Sequence, residues 1–320
     1  MARTFEVVPA EREKLKFSAM YMGATGSGKT VGALITARGI VKSMFPDLDP
    51  QSDEFWGKVG IVDTEHNRSK VYANTVIGGT FIGSFYHLQF DPPYDVEGYI
   101  DAIAALKSMG CEVIIVDSIT HAWDDAGGIL ELHQNLGGTF STWAKVKPII
   151  KKMYSAFAAD GNIHIISTVR SKIKYEATAT ETGKMKVSKI GLKPIMRDDF
   201  EYEVLTALHF DEDHKVSVIK DNTQVFEEGV LLSEEYGSEL LDFLDKGVDV
   251  FTLRKEKAEK LVGDIDKLLT KHKSNREVEA LMQKVELSAK RKYGLLDWRE
   301  LPLPTLESVK DMIEKEVSDA

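Results

Sequence analysis

The 320-residue sequence has a single cysteine, Cys111. One thiol builds no internal disulfide, so the fold must rest on an apolar core and a reducing cytoplasm is the expected compartment. Cys111 is expected as a small buried residue at the start of a strand. Long apolar runs are also lacking: none reaches the roughly 18 to 20 residues of a membrane span, and the first 16 residues flank a short apolar patch with charges. Neither a signal peptide nor a membrane partner is expected. Positive charge is in deficit, with 41 Lys and Arg against 51 Asp and Glu and a formal net charge of −10. This excludes a protein that coats nucleic acid through a uniformly basic surface. The histidines show no metal-ligand spacing, so His121, His133 and His164 are expected as satisfied structural residues. No internal repeat or low-complexity tract is present.

What is there reads as a globular α/β protein, 43% apolar and 29% charged. Apolar periodicity predicts strands over Phe17–Met22, Lys58–Asp63, Ser84–Gln89, Cys111–Asp117 and Asn162–Val169. Helices are predicted over Thr30–Met44, Ser69–Val76, Val96–Ser108 and Ser141–Ala159. Strands alternating with helices imply right-handed crossovers and a mostly parallel sheet covered on both faces. Glu201–Phe210 and Lys215–Lys220, joined by Asp211-Glu212-Asp213-His214, read as an antiparallel hairpin at the sheet edge. From about residue 249 the texture becomes helical, with Leu253, Leu261, Ile265 and Leu268 at helical spacing. Ser274-Asn275-Arg276-Glu277 reads as a capping box for a second helix, which Gly294 would stop, and Pro302 and Pro304 precede a third. The expected division is a core over 1–248 and a helical module over 249–320.

The most informative string is Gly23-Ala24-Thr25-Gly26-Ser27-Gly28-Lys29-Thr30, which follows an apolar strand and opens a helix. Its glycines let backbone N–H groups turn inward around phosphates, Lys29 reaches the terminal phosphates, and the Thr30 hydroxyl ligates magnesium. Val113-Ile114-Ile115-Val116-Asp117 is a buried strand ending in an acid, where such folds place the carboxylate that holds the magnesium shell. Ile61-Val62-Asp63-Thr64-Glu65 ends in the same manner. Glu65 is the better placed to polarise a water toward a γ-phosphate, with Asp63 as the alternative base. The expected cofactors are therefore ATP and Mg2+.

Here a family resemblance becomes specific. Ile61 to His66, with Tyr72-Ala73 beyond it, resembles the RecA family's strand with its catalytic glutamate and the later tyrosine that stacks on adenine. Val113 to Ser118 resembles that family's second nucleotide motif. Ile165-Ile166-Ser167-Thr168-Val169-Arg170 is similar to a strand ending in a polar switch that senses the γ-phosphate, which implies that role for Thr168. Lys215 to Asn222 resembles the late strand whose lysines reach a neighbouring subunit's ATP, which implies that role for Lys220. Over roughly residues 15 to 225, and in Gly191 to Arg197 followed by Glu201-Tyr202-Glu203, the chain resembles compact RecA-like ATPases of phages, several of which anneal single strands. Two departures stand out: Thr168 replaces a glutamine switch, and Asn222 replaces the second late lysine. The resemblance implies a homo-oligomer, ring or filament, with ATP between subunits, and a bacterial host cytoplasm as its setting.

The charge is unevenly spread. Fourteen acids face three lysines over residues 201–250, while Arg170, Lys172, Lys174, Lys184, Lys186, Lys189, Lys193 and Arg197 face only Glu176 and Glu181 just before, a local +6. The middle of this stretch, Ala177 to Gly183, is small and polar and reads as a mobile connection. These cations are candidates for single-stranded DNA phosphates, with Tyr175 for base stacking. The segment Ile119–Trp143, with Trp123, Phe140 and Trp143, is the other candidate. The expected function is a DNA-dependent ATPase that binds single-stranded DNA and promotes annealing and recombination. The alternative is a nucleotide-gated loader or remodelling ATPase acting on a protein partner with little DNA contact. The helical module carries no chemical motif; packing on the core, contact with other subunits, or docking of a single-stranded DNA-binding protein all remain open for it.

Overall fold

The computed structural model describes residues 9–158, 162–179, 185–197, 199–273, 275–293 and 295–318; for 173–179, 185–192 and 293 it describes the backbone alone. Two units are present. One spans Leu15–Lys246; the other joins Gly247–Ala320 to the N-terminal segment that ends at Lys14. The sequence expectation put that N-terminal segment with the core. Instead Glu13 bridges Val248, and Gly247 holds φ +122° where a β-carbon would sit 2.2 Å from the Arg12 carbonyl oxygen.

The larger unit is α/β with a mostly parallel sheet. Its strands are β1 (Ser18–Gly23), β2 (Val59–Asp63), β3 (Thr75–Ile77), β4 (Thr80–Ile82), β5 (Tyr86–Gln89), β6 (Val113–Asp117), β7 (His164–Ala179), β8 (Met185–Pro194), β9 (Thr206–Phe210), β10 (Lys215–Asp221) and β11 (Val230–Leu231). The central sheet runs β11-β10-β9-β1-β7-β6-β2-β5, with β8 on β7. Pairings from β9 through β5 are parallel, and β10, β11 and β8 join antiparallel. Strand alternation sorts the two cores. Ala19, Tyr21, Ile61, Ile115, Ile166 and Leu208 face α1 (Lys29–Met44), α2 (Asp53–Trp56) and, later in the chain, the helix Glu234–Leu244. Met20, Val62, Ile114, Val116 and Ile165 face α3 (Val96–Ser108), with α4 (Thr120–Asp124), α5 (Ile129–Asn135) and α6 (Trp143–Phe157) completing that layer. The helix Glu234–Leu244 is α7.

Three sequence expectations are corrected. The predicted helix Ser69–Val76 is a 3-10 turn, Arg68–Tyr72, followed by the small β3–β4 hairpin. Gly78 and Gly79 both take positive φ, the conformation a two-residue hairpin turn demands, and this outweighs a weak helical spacing. The Glu201–Phe210 strand begins only at Thr206, after a 3-10 turn over Phe200–Tyr202. The strand expected to end at Val169 continues: β7 runs on to Ala179 and β8 returns from Met185, in register Ser171↔Pro194 through Ala179↔Met185 with one irregularity after Lys174, while residues 180–183 of the connection read as mobile lie outside the described residues. The alternation of Ile173, Tyr175 and Ala177 with polar residues is a strand pattern that the charges masked.

In the smaller unit α8 (Val250–Lys271), α9 (Arg276–Ser288) and α10 (Leu303–Ser318) close over Ile265, Val278, Trp298, Leu306, Val309 and Ile313. The N-cap of α9 is Asn275, which accepts from the N–H groups of Glu277 and Val278. The expected capping box centred on Ser274, and that residue lies outside the described ones, as does Gly294. Among the described residues no helix is long and apolar enough to cross a membrane.

Helices α1 and α7 meet backbone to backbone through two glycines. A β-carbon at Gly39 would lie 2.0 Å from the Glu234 carbonyl oxygen, and one at Gly237 would lie 2.3 Å from that of Thr36. Gly39→Ala must therefore push the helices apart. It should lower unfolding stability by about 1 to 3 kcal/mol, the usual cost of overpacking. Urea denaturation with an unchanged midpoint would show that the pair separates without strain.

Candidate functional site

The C-terminal ends of β1, β2 and β6 lie beside the middle of β7 in the register Gly23↔Arg170 and Asp63↔Asp117, so the loops that leave β1, β2 and β6 share one rim of the sheet with Arg170. In open parallel sheets this rim is where ligands bind. From β1 the chain enters the glycine-rich loop. Gly23 must be glycine because a β-carbon there would sit 2.5 Å from Ser27 Oγ and 2.6 Å from the Phe210 carbonyl oxygen. Gly28 takes φ +90° directly before α1 and lies under His214, from the β9–β10 turn, with no side-chain cap on the helix. The first N–H groups of α1 are thus left to an outside acceptor.

Lys29 is 8% exposed, and its ammonium donates to the carbonyl oxygens of Gly23 at 3.1 Å and Ala24 at 2.7 Å. Burial lowers its pKa; the charges of Asp117 and Glu65 oppose this, and Arg170 adds to it. Thr30 Oγ1 donates to Asp117 Oδ2 at 2.7 Å, and Thr168 Oγ1 donates to Asp117 Oδ1. Burial raises the Asp117 pKa, these two donors lower it, and the charges of Glu65 and Asp63 raise it further. Ser27 Oγ is buried without a protein partner. The structure therefore gathers the loop, Lys29, Thr30, Asp117 and Thr168 at one point.

Asp63 and Glu65 separate into distinct roles. Asp63 Oδ1 accepts from Glu65 N at 2.7 Å, while Oδ2 accepts from Ser69 N at 3.1 Å, Ser69 Oγ at 2.5 Å and His87 Nε2 at 3.1 Å. Burial raises its pKa, but the donors from Ser69, His87 and Glu65 outweigh that and hold it below the usual carboxylate range. A carboxylate so fully engaged organises the turn after β2. Between the two acids, Thr64 Oγ1 meets Ser118 N at 2.8 Å and His121 Nδ1 at 2.7 Å, which ties the β2 and β6 loops together. Glu65 faces Arg170: Nε donates to Oε1 at 2.5 Å and Nη2 donates to Oε2. The hydrogen bond from Glu65 is the largest influence on Arg170 and raises its pKa.

Tyr72 is half-buried. Burial raises its pKa first and the Asp117 charge second, which places the phenol within electrostatic range of the site. Lys220 is not brought to this rim; its ammonium donates to the carbonyl oxygens of Tyr202 at 2.9 Å and Val204 at 2.6 Å, with Glu201 at 3.4 Å.

The basic candidates divide. Arg170 is engaged with Glu65. Lys172 and Lys193 are opposite each other on the β7–β8 hairpin and, with Trp123, Met196 and Arg197, line a cavity of about 530 Å³. Arg197 also pairs with Asp199 at 2.9 Å. Arg197 and Trp123 are shared with a second cavity of about 630 Å³, where Phe140, Trp143 and Lys147 complete the wall and Phe140 is 95% exposed. Trp123 stacks on Trp143 at 6.2 Å, and His133 stacks on the same indole at 4.0 Å. Lys174, Tyr175, Lys186 and Lys189 belong to the hairpin by backbone register, and Lys184 lies outside the described residues. The two candidate segments read separately from sequence thus share adjoining cavities.

Sequence reasoning missed the Arg170–Glu65 pair, the Ser69 and His87 donors to Asp63, and His214 over Gly28. Of these only Ser69, six residues after Asp63, lay within local range. The histidine expectation holds for His121 and His133, but His164 Nε2 is buried without a partner while Nδ1 accepts from Phe17 N at 3.0 Å; burial drops its pKa to about 3. Cys111 is buried two residues ahead of β6, and burial, then Glu112, pushes its thiol up to about 11. No protein-family model matches the chain, and no curated protein matches it in sequence.

Proposed function

We propose that the chain is a RecA-like P-loop ATPase that binds single-stranded DNA and promotes annealing in homologous recombination. The observation that carries the reading is the convergence of Lys29, Thr30, Asp117, Thr168 and Glu65 around a glycine-rich loop whose helix has free N–H groups. The residues fit a nucleotide with magnesium. Among the described residues the Lys29 ammonium has only carbonyl partners within hydrogen-bond range and Ser27 Oγ is buried without a partner, while Thr30 with Asp117 offers the hard oxygens that magnesium takes alongside phosphates. Bound there, magnesium supplies charge neutralisation at the phosphates. Glu65 accepts the proton of the attacking water, whose oxygen bonds to the γ-phosphorus as the bond to the β–γ bridging oxygen breaks and ADP leaves. Tyr72 is assigned to the adenine. Lys220 is assigned to a neighbouring subunit's phosphates in a homo-oligomer, a reach that requires it to leave the carbonyls of Tyr202 and Val204.

The DNA arm rests on the paired cavities, where Lys172 and Lys193 stand opposite in the hairpin and aromatic faces lie beside them. Two cations facing each other across a strand pair beside aromatic faces suit a backbone phosphate and a stacked base. Changing Lys172 and Lys193 together to alanine should reduce the log–log salt slope of oligodeoxythymidine binding by about 1.4, at roughly 0.7 per phosphate contact, and leave Mg-ATP binding intact. Titrations at several salt concentrations read this directly. An unchanged slope, or ATP hydrolysis indifferent to single-stranded DNA, would favour the protein-directed loader.

A further inference from the structure

We infer that Arg170 is a latch on Glu65, holding the base out of action until occupation of the basic hairpin draws the guanidinium away; this rests on the ATPase reading above. The carboxylate has two oxygens and the latch takes both: Nε on Oε1, Nη2 on Oε2. A two-pronged guanidinium pair engages one lone pair on each oxygen and turns the carboxylate toward the arginine rather than toward a water, and Arg68 Nη1 lies 3.8 Å from the same Oε2. The Arg170 side chain is 34% exposed and that of Glu65 11%, so the guanidinium has room to swing toward a phosphate while the carboxylate stays in the site.

The position of Arg170 explains what could open it. It is the last β7 residue paired with β1, opposite Gly23 at the start of the glycine-rich loop, and Ser171 is the first residue of the hairpin, opposite Pro194. Its backbone is fastened on both sides: its N–H donates to Thr120 Oγ1 at 2.9 Å, and its carbonyl accepts from Ile195 N at 2.7 Å. Thr120 begins α4, which carries Trp123, and Ile195 lines the cavity with Lys172, Lys193 and Trp123. A polyanion seated there bears on both fastenings of Arg170, and its phosphates compete with Glu65 for the guanidinium. Two residues earlier on the strand, Thr168 holds Asp117. Arg170 is thus a positioning residue that couples polymer binding to the base.

The test uses the full chain, Mg-ATP and an oligodeoxythymidine, with binding of a fluorescent ATP analogue measured separately from hydrolysis. Arg170→Gln should raise the DNA-free kcat roughly ten- to a hundredfold, the gain expected when a state populated at one to ten per cent becomes dominant. KM for ATP should change little, and stimulation by DNA should fall toward unity. Arg170→Lys, with a single ammonium able to hold one oxygen, should fall between the two and guards against a folding defect in the first variant. If Arg170→Gln binds the analogue normally yet hydrolyses ATP no faster, or more slowly both with and without DNA, the latch is overturned. Failure of the unaltered chain to bind the analogue at all overturns the ATPase reading and takes the latch with it. Absence of DNA stimulation in the unaltered chain overturns DNA as the trigger, and the DNA-free rate of Arg170→Gln then decides whether the clamp itself exists.

Discussion

Lys29→Ala is expected to abolish Mg-ATP binding while leaving the α/β unit folded. The ammonium is the one cationic group that the glycine-rich loop itself provides, and it lies with its methylene stem buried and its head on two loop carbonyls. A charge-assisted hydrogen bond contributes about 1.5 to 3 kcal/mol, and a terminal phosphate would accept from this ammonium in surroundings that exclude water. Affinity should therefore fall by on the order of a hundredfold or more. Stability should move far less, since the partners left behind are two carbonyl oxygens at a loop and the apolar clusters are untouched. Calorimetric titration with Mg-ATP, beside thermal unfolding of both proteins, separates the two effects. Affinity within a factor of three of the unaltered chain would remove the phosphate loop from the reading.

Glu65→Gln should cut hydrolysis by roughly two orders of magnitude or more with ATP binding retained, the usual loss when a general base goes. The substitution also removes the ion pair to Arg170, but freeing the arginine does not compensate for a missing base. Asp63→Asn is the control that distinguishes the two acids. Asp63 accepts from four donors, so its amide would have to turn an N–H group toward other N–H groups; destabilisation is expected, with no selective loss in kcat. Single-turnover hydrolysis by each variant, set against its urea midpoint, decides the assignment. A selective rate loss in Asp63→Asn with a competent Glu65→Gln would exchange the two roles.

Much of this was readable because it is local. A strand that ends in Gly23 and leads through glycines to Lys29-Thr30 must turn sharply and start a helix, and a run such as Val113 to Val116 buried on both faces places Asp117 at its C-terminal end. Alternation in β1, β2 and β6 similarly assigns the two core faces. What escaped depends on distant partners. Arg170 looked like one more cation in a basic stretch, because nothing within several residues reveals that Glu65, 105 positions away, faces it. The hairpin was hidden by its own charges, which suppress the apolar signal that marks a strand, and its second strand has no meaning until it pairs with the first. Gly39 and Gly237 look like ordinary helix-weakening glycines until the two helices are laid together.

The central strand β7 also constrains how this chain can vary. Thr168 and Arg170 reach the rim from the same side of an extended strand whose side chains alternate, and that parity is set by pairing with β1 through Gly23. Inserting or deleting one residue between Ile165 and Thr168 would rotate every following side chain to the opposite face, separating the threonine from Asp117 and the arginine from Glu65 at once. Length here is inherited as a unit, so natural variation in this stretch should be by replacement alone. Changes of length should collect instead after Ala179 and before Met185, downstream of both side chains.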